Sequence, residues 1–490
     1  MLLTACMLGG CTNRAQVASQ QERVMLPEPS AQPQQMILGD TAATEPMDVT
    51  LYYAEGNSST LTGMTRTIRV GSNENLAEKA VLELLHSSMG NSLRITSTDT
   101  QLLGIENSRG VVTVNLSIDA GARQSDRDYL YLCAAIGNTL LSLEDVEGVN
   151  ILIGGRSDAL RGLPVGTITE NIDQITAAYA QYEAENSQFI HGGTGSIERS
   201  VTLYFPSKNG KFMLPEIRKL QFESTDYASY IINALKAGAE SASSFSPIAA
   251  NLELFTEWPE LHITDSGLRV LELNLSPLLP NYLAFSGIEA WQLYGSIVLS
   301  MTGFIPELDA VRIFIDGEPV QNCRMGYENI LVEDGMFRRE DFAHRIGSVA
   351  TMYFETSDGC LARSEQALSQ ADSVSARHIL AGMISAEVTE GLRSVFPEGV
   401  YSEDILGVSL RSNVAVLNLS GNFYSKCQQL SAQQERNLVY AMVNTLCELD
   451  QIGAVRILVE GRSIETLAGS IYLKSTLMPN PGLVHSGTGS

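Results

Sequence analysis

Six histidines, His86, His191, His262, His344, His378 and His485, are the first candidates for proton transfer or metal ligation in this chain. None lies in an H-E-x-x-H pair, the helical spacing that turns two imidazoles onto one zinc ion. No G-x-S-x-G turn presents a serine for acyl transfer, and no G-x-x-x-x-G-K-[ST] loop offers backbone amides to a phosphate. The seven cysteines (Cys6, Cys11, Cys133, Cys323, Cys360, Cys427 and Cys447) form no C-x-x-C pair, which argues against a zinc ribbon or a thioredoxin-type site. The pattern predicts no catalytic residue, no cofactor and no metal site, in a protein that is not an enzyme.

One thiol has a chemistry of its own. Leu8-Gly9-Gly10-Cys11 closes an uncharged apolar run and fits a bacterial lipobox, with an apolar residue three before the cysteine and small residues next to it. The small residues let a signal peptidase reach the backbone. The Cys11 thiol is then diacylated and becomes the new N-terminus. Leu3-Thr4-Ala5-Cys6 fits the same pattern but has almost no apolar segment before it. No Lys or Arg precedes the run, and ten residues is short for a signal peptide. The reading therefore expects the true start to lie upstream of Met1. Residues 12–47 are rich in Gln, Ala, Pro, Ser and Thr without periodicity, the composition of a flexible tether. No later stretch approaches the length of apolar chain that spans a bilayer, about 18 residues. The predicted location is the outer face of the bacterial cytoplasmic membrane, held there by the N-terminal lipid.

Charge removes another class of function. Lys plus Arg number 32 against 56 Asp plus Glu, for a net charge of −24 and a pI near 4.6. Nucleic-acid binding draws its affinity from cations that neutralise phosphates. This chain would be repelled by DNA, RNA and anionic head groups. Its 490 residues, 44% of them hydrophobic, allow roughly three domains of about 150 residues, each with a core.

The elements that would position any site are repeated. VTLYY (49–53) returns as VTLYF (201–205) and ATMYF (350–354). VVTVNLS (111–117) returns as RVLELNLS (269–276) and VAVLNLS (414–420). VNILIGGR (149–156) returns as VRIFIDGE (311–318) and VRILVEGR (455–462). The spacings agree as well. Asn115 and Gly155, Asn274 and Gly317, and Asn418 and Gly461 lie 40, 43 and 43 residues apart. Matches in order and spacing define one unit copied three times.

Within a unit, Val49, Leu51 and Tyr53 alternate as in a half-buried strand, and a polar loop follows. Leu76, Ala80, Val81 and Leu84 then recur at helical spacing over 75–87, as do apolar residues over 227–237 and 376–386. Two strands follow, 102–107 and 111–116, split by a turn at Ser108-Arg109-Gly110, with Thr264–Gly267 and Arg411–Asn413 as the later turns. A second helix covers 126–143, 289–301 and 432–449. The order β-α-β-β-α-β predicts an α+β fold of three tandem sandwich domains, with helices on one face of a mostly antiparallel sheet. The divisions are 1–11 signal, 12–47 tether, 48–156 first domain, 157–200 linker with a short helix, 201–318 second domain, 319–349 linker, 350–462 third domain and 463–490 frayed tail.

Some recurring polar residues invite a ligand reading. Asp316 and Glu460 occupy matching positions in two units, with Gly154 in the first; a polar residue at a strand exit explains them more simply. Asn115, Asn274 and Asn418 recur in all three, and each is expected to bond nearby backbone at the strand-to-helix turn. Cys133 and Cys447 fall among apolar helix neighbours and read as buried thiols, and a Cys427–Cys447 bridge is an alternative for an exported chain. Trp291 reads as core and Trp258 as an exposed partner contact.

The opening VTLYF, the V-x-LNLS strand before a second helix and the final VRI-x-I-x-G strand resemble the GerMN domain of sporulation and spore-germination lipoproteins, over 49–156, 201–318 and 350–462. The resemblance implies a lipid-anchored protein with tandem ring-building-motif-like domains that works beside an envelope channel complex. Three copies depart from the familiar two. The expected function is that of a non-enzymatic envelope scaffold whose partners are envelope or sporulation-complex proteins. The alternative is a peptidoglycan- or peptide-binding envelope protein, and a third option is a hydrolase with a site kept in one copy.

Overall fold

Val49, Leu51 and Tyr53 are buried on one side of an opening strand, Thr44–Ala54, as their alternation requires. This comes from a computed structural model describing residues 39–41, 44–54, 59–71, 74–86, 100–121, 125–250, 252–388 and 391–485. Cys6, Cys11, the lipobox and most of the tether lie outside the described residues. The equivalent opening strands are Ile197–Pro206 and Gly347–Thr356.

Each opening strand pairs antiparallel with the segment after it: Leu61–Gly71, Met213–Phe222 and Leu361–Ser369. Sequence reading takes these segments as polar loops, and they are strands. Leu61–Gly71 shows why. It buries only Val70 and Gly71, and its Thr and Arg side chains face water. A hairpin strand with one wet face carries too few apolar residues to declare itself.

The helices fall close to their predicted spans. The first helices are Leu76–His86, Tyr227–Ala237 and Ala376–Ser385. The second are Asp126–Leu141, Ala290–Thr302 and Ala432–Leu446. Their starts are capped by side chains. Ser125 Oγ accepts from Asp128 N, and Ser431 Oγ accepts from Gln434 N while Gln434 Oε1 accepts from Ser431 N.

The remaining strands form a second sheet in each repeat. An edge strand (Leu102–Ser108, Glu260–Ile263, Ile405–Arg411) runs antiparallel to a central strand (Val111–Leu116, Arg269–Leu275, Val414–Leu419). The central strand runs parallel to a closing strand (Gly148–Ile153, Ala310–Ile315, Ala454–Val459). The second helix supplies the crossover that a parallel pair needs. The opening hairpin is hydrogen-bonded apart from this sheet, so each α+β repeat holds a hairpin and a sheet built on these three strands, joined through two helices; short added strands bring the sheets of the second and third repeats to five. Strand order is what periodicity had left open.

Each repeat has its own hydrophobic cluster, fed by the opening strand, both helices and the inner face of the three-stranded sheet. Burying a Leu or Phe side chain in such a cluster contributes about 1.5–3 kcal/mol.

Two terminal segments differ from expectation. Gly39–Thr41, inside the predicted tether, is a strand lying parallel to the edge strand of the third repeat, with Gly39 opposite Gly407 and Thr41 opposite Ser409. The C-terminal segment expected to fray is packed through residue 485. Leu467, Leu473 and Leu477 are buried in the third core, and Leu477 and Val455 exchange two backbone hydrogen bonds of 2.8 Å. The second helix makes this possible, because Glu435 accepts backbone bonds from Leu467, Ala468 and Ser470.

Candidate functional site

The recurring asparagines are the residues that most resembled a ligand set, and their amides are already engaged. Asn115 Oδ1 accepts from Gly155 N at 2.8 Å, Asn274 Oδ1 from Gly317 N at 2.9 Å and Asn418 Oδ1 from Gly461 N at 2.7 Å. The bonded backbone belongs to the closing-strand turn, not to the nearby strand-to-helix turn that local reasoning favoured. The turn explains the acids as well. Gly154-Gly155, Asp316-Gly317 and Glu460-Gly461 all have positive φ at both positions, the signature of a tight type I′ hairpin. Asp316 and Glu460 are therefore turn residues, and Glu460 Oε1 also accepts from Gly421 N at 2.8 Å.

A second contact recurs. The backbone N–H of Tyr52, Tyr204 and Tyr353 donates to Thr139 Oγ1, Ser300 Oγ and Thr445 Oγ1 at 3.0, 3.0 and 3.2 Å. These hydroxyls sit on the second helices. They satisfy opening-strand amides that the hairpin partner cannot reach, and so fix hairpin to helix.

The repeats are not independent beads. Asn150 on the first closing strand donates to Thr113 Oγ1 and to Thr202 Oγ1 on the second opening strand, at 3.3 and 2.9 Å. Thr167 in the connecting segment donates to Asn150 Oδ1 at 2.8 Å. Beside them Arg339 donates to Glu106 Oε2 at 2.8 Å, to Tyr204 Oη at 3.0 Å and to Leu299 O at 3.2 Å. Burial pushes the Tyr204 phenol up, which keeps it a neutral member of the cluster. Arg109 of the first repeat reaches Glu216 of the second, and Asn107 N donates to Gln370 Oε1 of the third at 3.0 Å.

The three edge strands have different fates. In the third repeat Gly39–Thr41 covers the edge, and in the first the Asn107 end abuts the third repeat. In the middle repeat Glu260–Ile263 has no strand on its outer side among the described residues. Its neighbourhood is apolar and wet: Trp258 is 80% exposed, Ile263 75% and Leu261 45%. The sequence flagged Trp258 and placed a strand before the turn at Thr264–Gly267, but nothing in ELHI shows that the outer side of that strand stays open.

The histidines do not converge on one another. His262 lies 3.3 Å from Glu260 and 3.5 Å from Glu272, and His344 is 3.3 Å from Glu328. His378 is 3.2 Å from Asp372, and His485 is 3.6 Å from Asp358. Cys427 and Cys447 are not bridged. Burial pushes the Cys323 and Cys427 thiols up to about 12 and Cys447 to about 11, so they remain thiols and not nucleophiles. Trp291 is core, with its indole N–H on Glu289 at 2.8 Å. One grouping escaped the sequence: Asp358, Cys360 and His485 bring possible ligand atoms within 4.8 Å of one another. Two lie in a hairpin turn and the third sits far along the chain, so no local spacing announces them.

Three packed α+β modules, joined by polar contacts and with the edge strand of the middle repeat carrying no further strand among the described residues, define a repeat protein. The chain belongs to the family described as Germane: Sporulation and spore germination, which matches residues 50–159, 202–321 and 351–465. That description names sporulation and germination and no reaction. Similar solved structures include the tandem GerMN domains of the sporulation protein GerM from Bacillus subtilis, at 16% identity over 60% of this chain and 99% of that one, with a TM-score of 0.24. The first GerMN domain of that protein aligns at 17% identity over 27% and 96%, with a TM-score of 0.23. A candidate lipoprotein from Clostridium perfringens aligns at 22% identity over 26% and 88%, with a TM-score of 0.18. No curated protein matches the chain.

Proposed function

We propose that this protein is a non-enzymatic scaffold of the bacterial envelope, acting in sporulation or germination, and that the middle repeat takes up an extended segment of a partner protein along Glu260–Ile263. The observation that carries the reading is the contrast between equivalent edges. The third repeat accepts Gly39–Thr41 as an added parallel strand, and the middle repeat has the same edge uncovered with Trp258, Leu261 and Ile263 exposed around it. Strand addition supplies affinity through backbone hydrogen bonds and specificity through flanking apolar side chains. Unprotected edges are otherwise blunted by charge or cover.

Lipid attachment at Cys11 would hold the chain on the outer face of the cytoplasmic membrane. Tethering raises the effective concentration of each contact, so a weak strand addition becomes useful. The acidic surface argues for protein partners and against nucleic acid.

The test is photo-crosslinking from position 263 in sporulating cells, with mass spectrometry of the captured protein. A specific envelope partner, lost in a Leu261→Lys/Ile263→Lys chain that melts like the parent, is the expected result. Equal capture by the lysine variant would reject the edge as the site. Release of Cys11→Ala into the soluble exported fraction checks the anchor separately.

A second reading, recognition of peptidoglycan, is favoured by one feature. A polar cleft of about 330 Å³ opens in the third repeat between Glu355, Ser357, Arg393, Ser431 and Gln434. Retention on purified peptidoglycan, with no crosslinked protein, would favour it over the edge.

A further inference from the structure

The turn between the opening strand of the third repeat and its hairpin partner is held from two directions. Within the turn, Gly359 N donates to Thr356 O at 3.0 Å and Cys360 N to Thr356 Oγ1 at 3.1 Å. Gly359 has φ +80°, a conformation that suits glycine. From the second helix, Gln433 Nε2 and Asn437 Nδ2 both donate to Gly359 O, at 3.2 and 3.0 Å. Asp358 and Cys360 therefore flank a fixed carbonyl. The end of the chain arrives beside them. Val484 bridges Leu361 in parallel, and His485 N donates to Leu361 O at 2.7 Å. That pairing delivers the His485 ring to the turn, with Nδ1 3.6 Å from Asp358 Oδ2.

We propose that Asp358, Cys360 and His485 bind one zinc ion, which clasps the C-terminal segment to the hairpin of the third repeat. The donor set points to the metal. A thiolate, an imidazole and a carboxylate form a mixed S/N/O set suited to zinc; calcium and magnesium prefer oxygen alone. Zinc holds such ligands at about 2.0–2.3 Å, which places neighbouring ligand atoms roughly 3.5 Å apart in a tetrahedron. The three groups, now within 4.8 Å, need only side-chain rotation to close on an ion, and Asp358 and His485 are exposed enough to rotate. Water fills the fourth position.

The test is titration of the full, tag-free, reduced chain with cobalt(II), followed by zinc. One cobalt per chain, with a thiolate-to-cobalt charge-transfer band that zinc abolishes, is expected. Cys360→Ser should remove that band, and His485→Ala should weaken binding at least tenfold. A band that survives in Cys360→Ser, as Cys6, Cys11 or Cys447 could produce, would overturn the assignment. So would the absence of any band at stoichiometric cobalt. Cys360 lies in the hairpin turn and His485 on the exposed end of the C-terminal segment, and unchanged circular dichroism confirms that each variant is folded. Hydrogen exchange tests the clasp: zinc should slow the His485 amide in the parent and leave it unchanged in Cys360→Ser. Zinc bound with no slowing in the parent would reject the clasp.

Discussion

Asn418 Oδ1 accepts a hydrogen bond from the backbone N–H of Gly461 at 2.7 Å, across 43 residues of chain. The same bond joins Asn115 to Gly155 and Asn274 to Gly317. It ties the central strand of each sheet to the type I′ turn that ends the closing strand. A turn with two left-handed residues turns its N–H groups away from the ladder, and the asparagine meets one of them. The conserved spacing of these pairs within one chain is therefore the length of the helical crossover between two neighbouring parallel strands.

The three bonds differ in burial, and their worth should follow. Asn418 is fully buried, and the Asn274 bond is exposed. An unpaired buried donor costs about 1–3 kcal/mol, whereas water replaces an exposed partner. Asn418→Ala should lower stability by about 2 kcal/mol and Asn274→Ala by under about 1 kcal/mol, measured by urea denaturation. Equal losses at both positions would mean that the side chain acts through something other than this bond.

The Glu106–Arg339 pair at the junction of the first two repeats makes a second prediction. Arg339 is nearly buried and touches Glu106, Tyr204 and Leu299 at once. Removing one member of such a pair leaves a charge without a counter-ion, at about 3–5 kcal/mol, while replacing both by apolar groups is often close to neutral. Arg339→Met should be strongly destabilising, and Glu106→Leu added to it should recover most of the loss. A double variant as unstable as the sum of the singles would show that the ion pair is incidental to the junction.

How much of this could be read from residues alone depends on who each residue's partner is. Tyr227–Ala237 was legible to the residue because its apolar period and its partners lie within one helix. Val49, Leu51 and Tyr53 were legible for the same reason: a face is a local property. Leu61–Gly71 was not, since its strand character comes from pairing with Thr44–Ala54 and not from its own pattern. The bonding of Asn115, Asn274 and Asn418 to backbone was foreseen, but the bonded turn was misplaced, because the local alternative is the one that a sequence displays. The meeting of Asp358 and Cys360 with His485 was invisible. It depends on a tail held by Glu435 and Leu361, two contacts with no signature in the residues between.

Asp404 carries a pH prediction. Burial raises its carboxyl, but bonds from Ser420 Oγ, Tyr401 N and Asn422 Nδ2, with Lys426 nearby, outweigh burial and hold it below the ordinary range. The folded form thus stays charged at a pH where the unfolded chain, near about 3.9, takes up a proton. Its contribution is complete above the unfolded value and disappears as pH falls through the lower folded one. Melting curves of the parent and Asp404→Asn should therefore differ most near about pH 6 and draw together as pH falls below about 3.9. A gap that stays constant over that range would exclude this carboxylate as the cause.

Glu435 concentrates the stability of the C-terminal segment in one side chain. It is fully buried on the second helix of the third repeat, and its two oxygens accept from Leu467, Ala468 and Ser470 at 2.9, 2.8 and 2.6 Å. Three converging N–H groups make an anion cradle in which the carboxylate takes the place of a ligand. Glu435→Gln keeps the shape, but it loses the charge and turns a donor toward a donor. Glu435→Ala leaves all three amides without an acceptor. Hydrogen bonds to charged groups contribute about 1.5–3 kcal/mol each before coupling, so the alanine variant should lose more than about 3 kcal/mol and the glutamine variant less. The effect should also be local. Exchange at 467–470 should rise by orders of magnitude while amides of the first repeat, which has a separate core, keep their protection. Because His485 reaches Asp358 only through this packed segment, the same variant should also bind cobalt more weakly. Uniformly faster exchange over all three repeats would instead make Glu435 part of one global folding unit and disprove the local account.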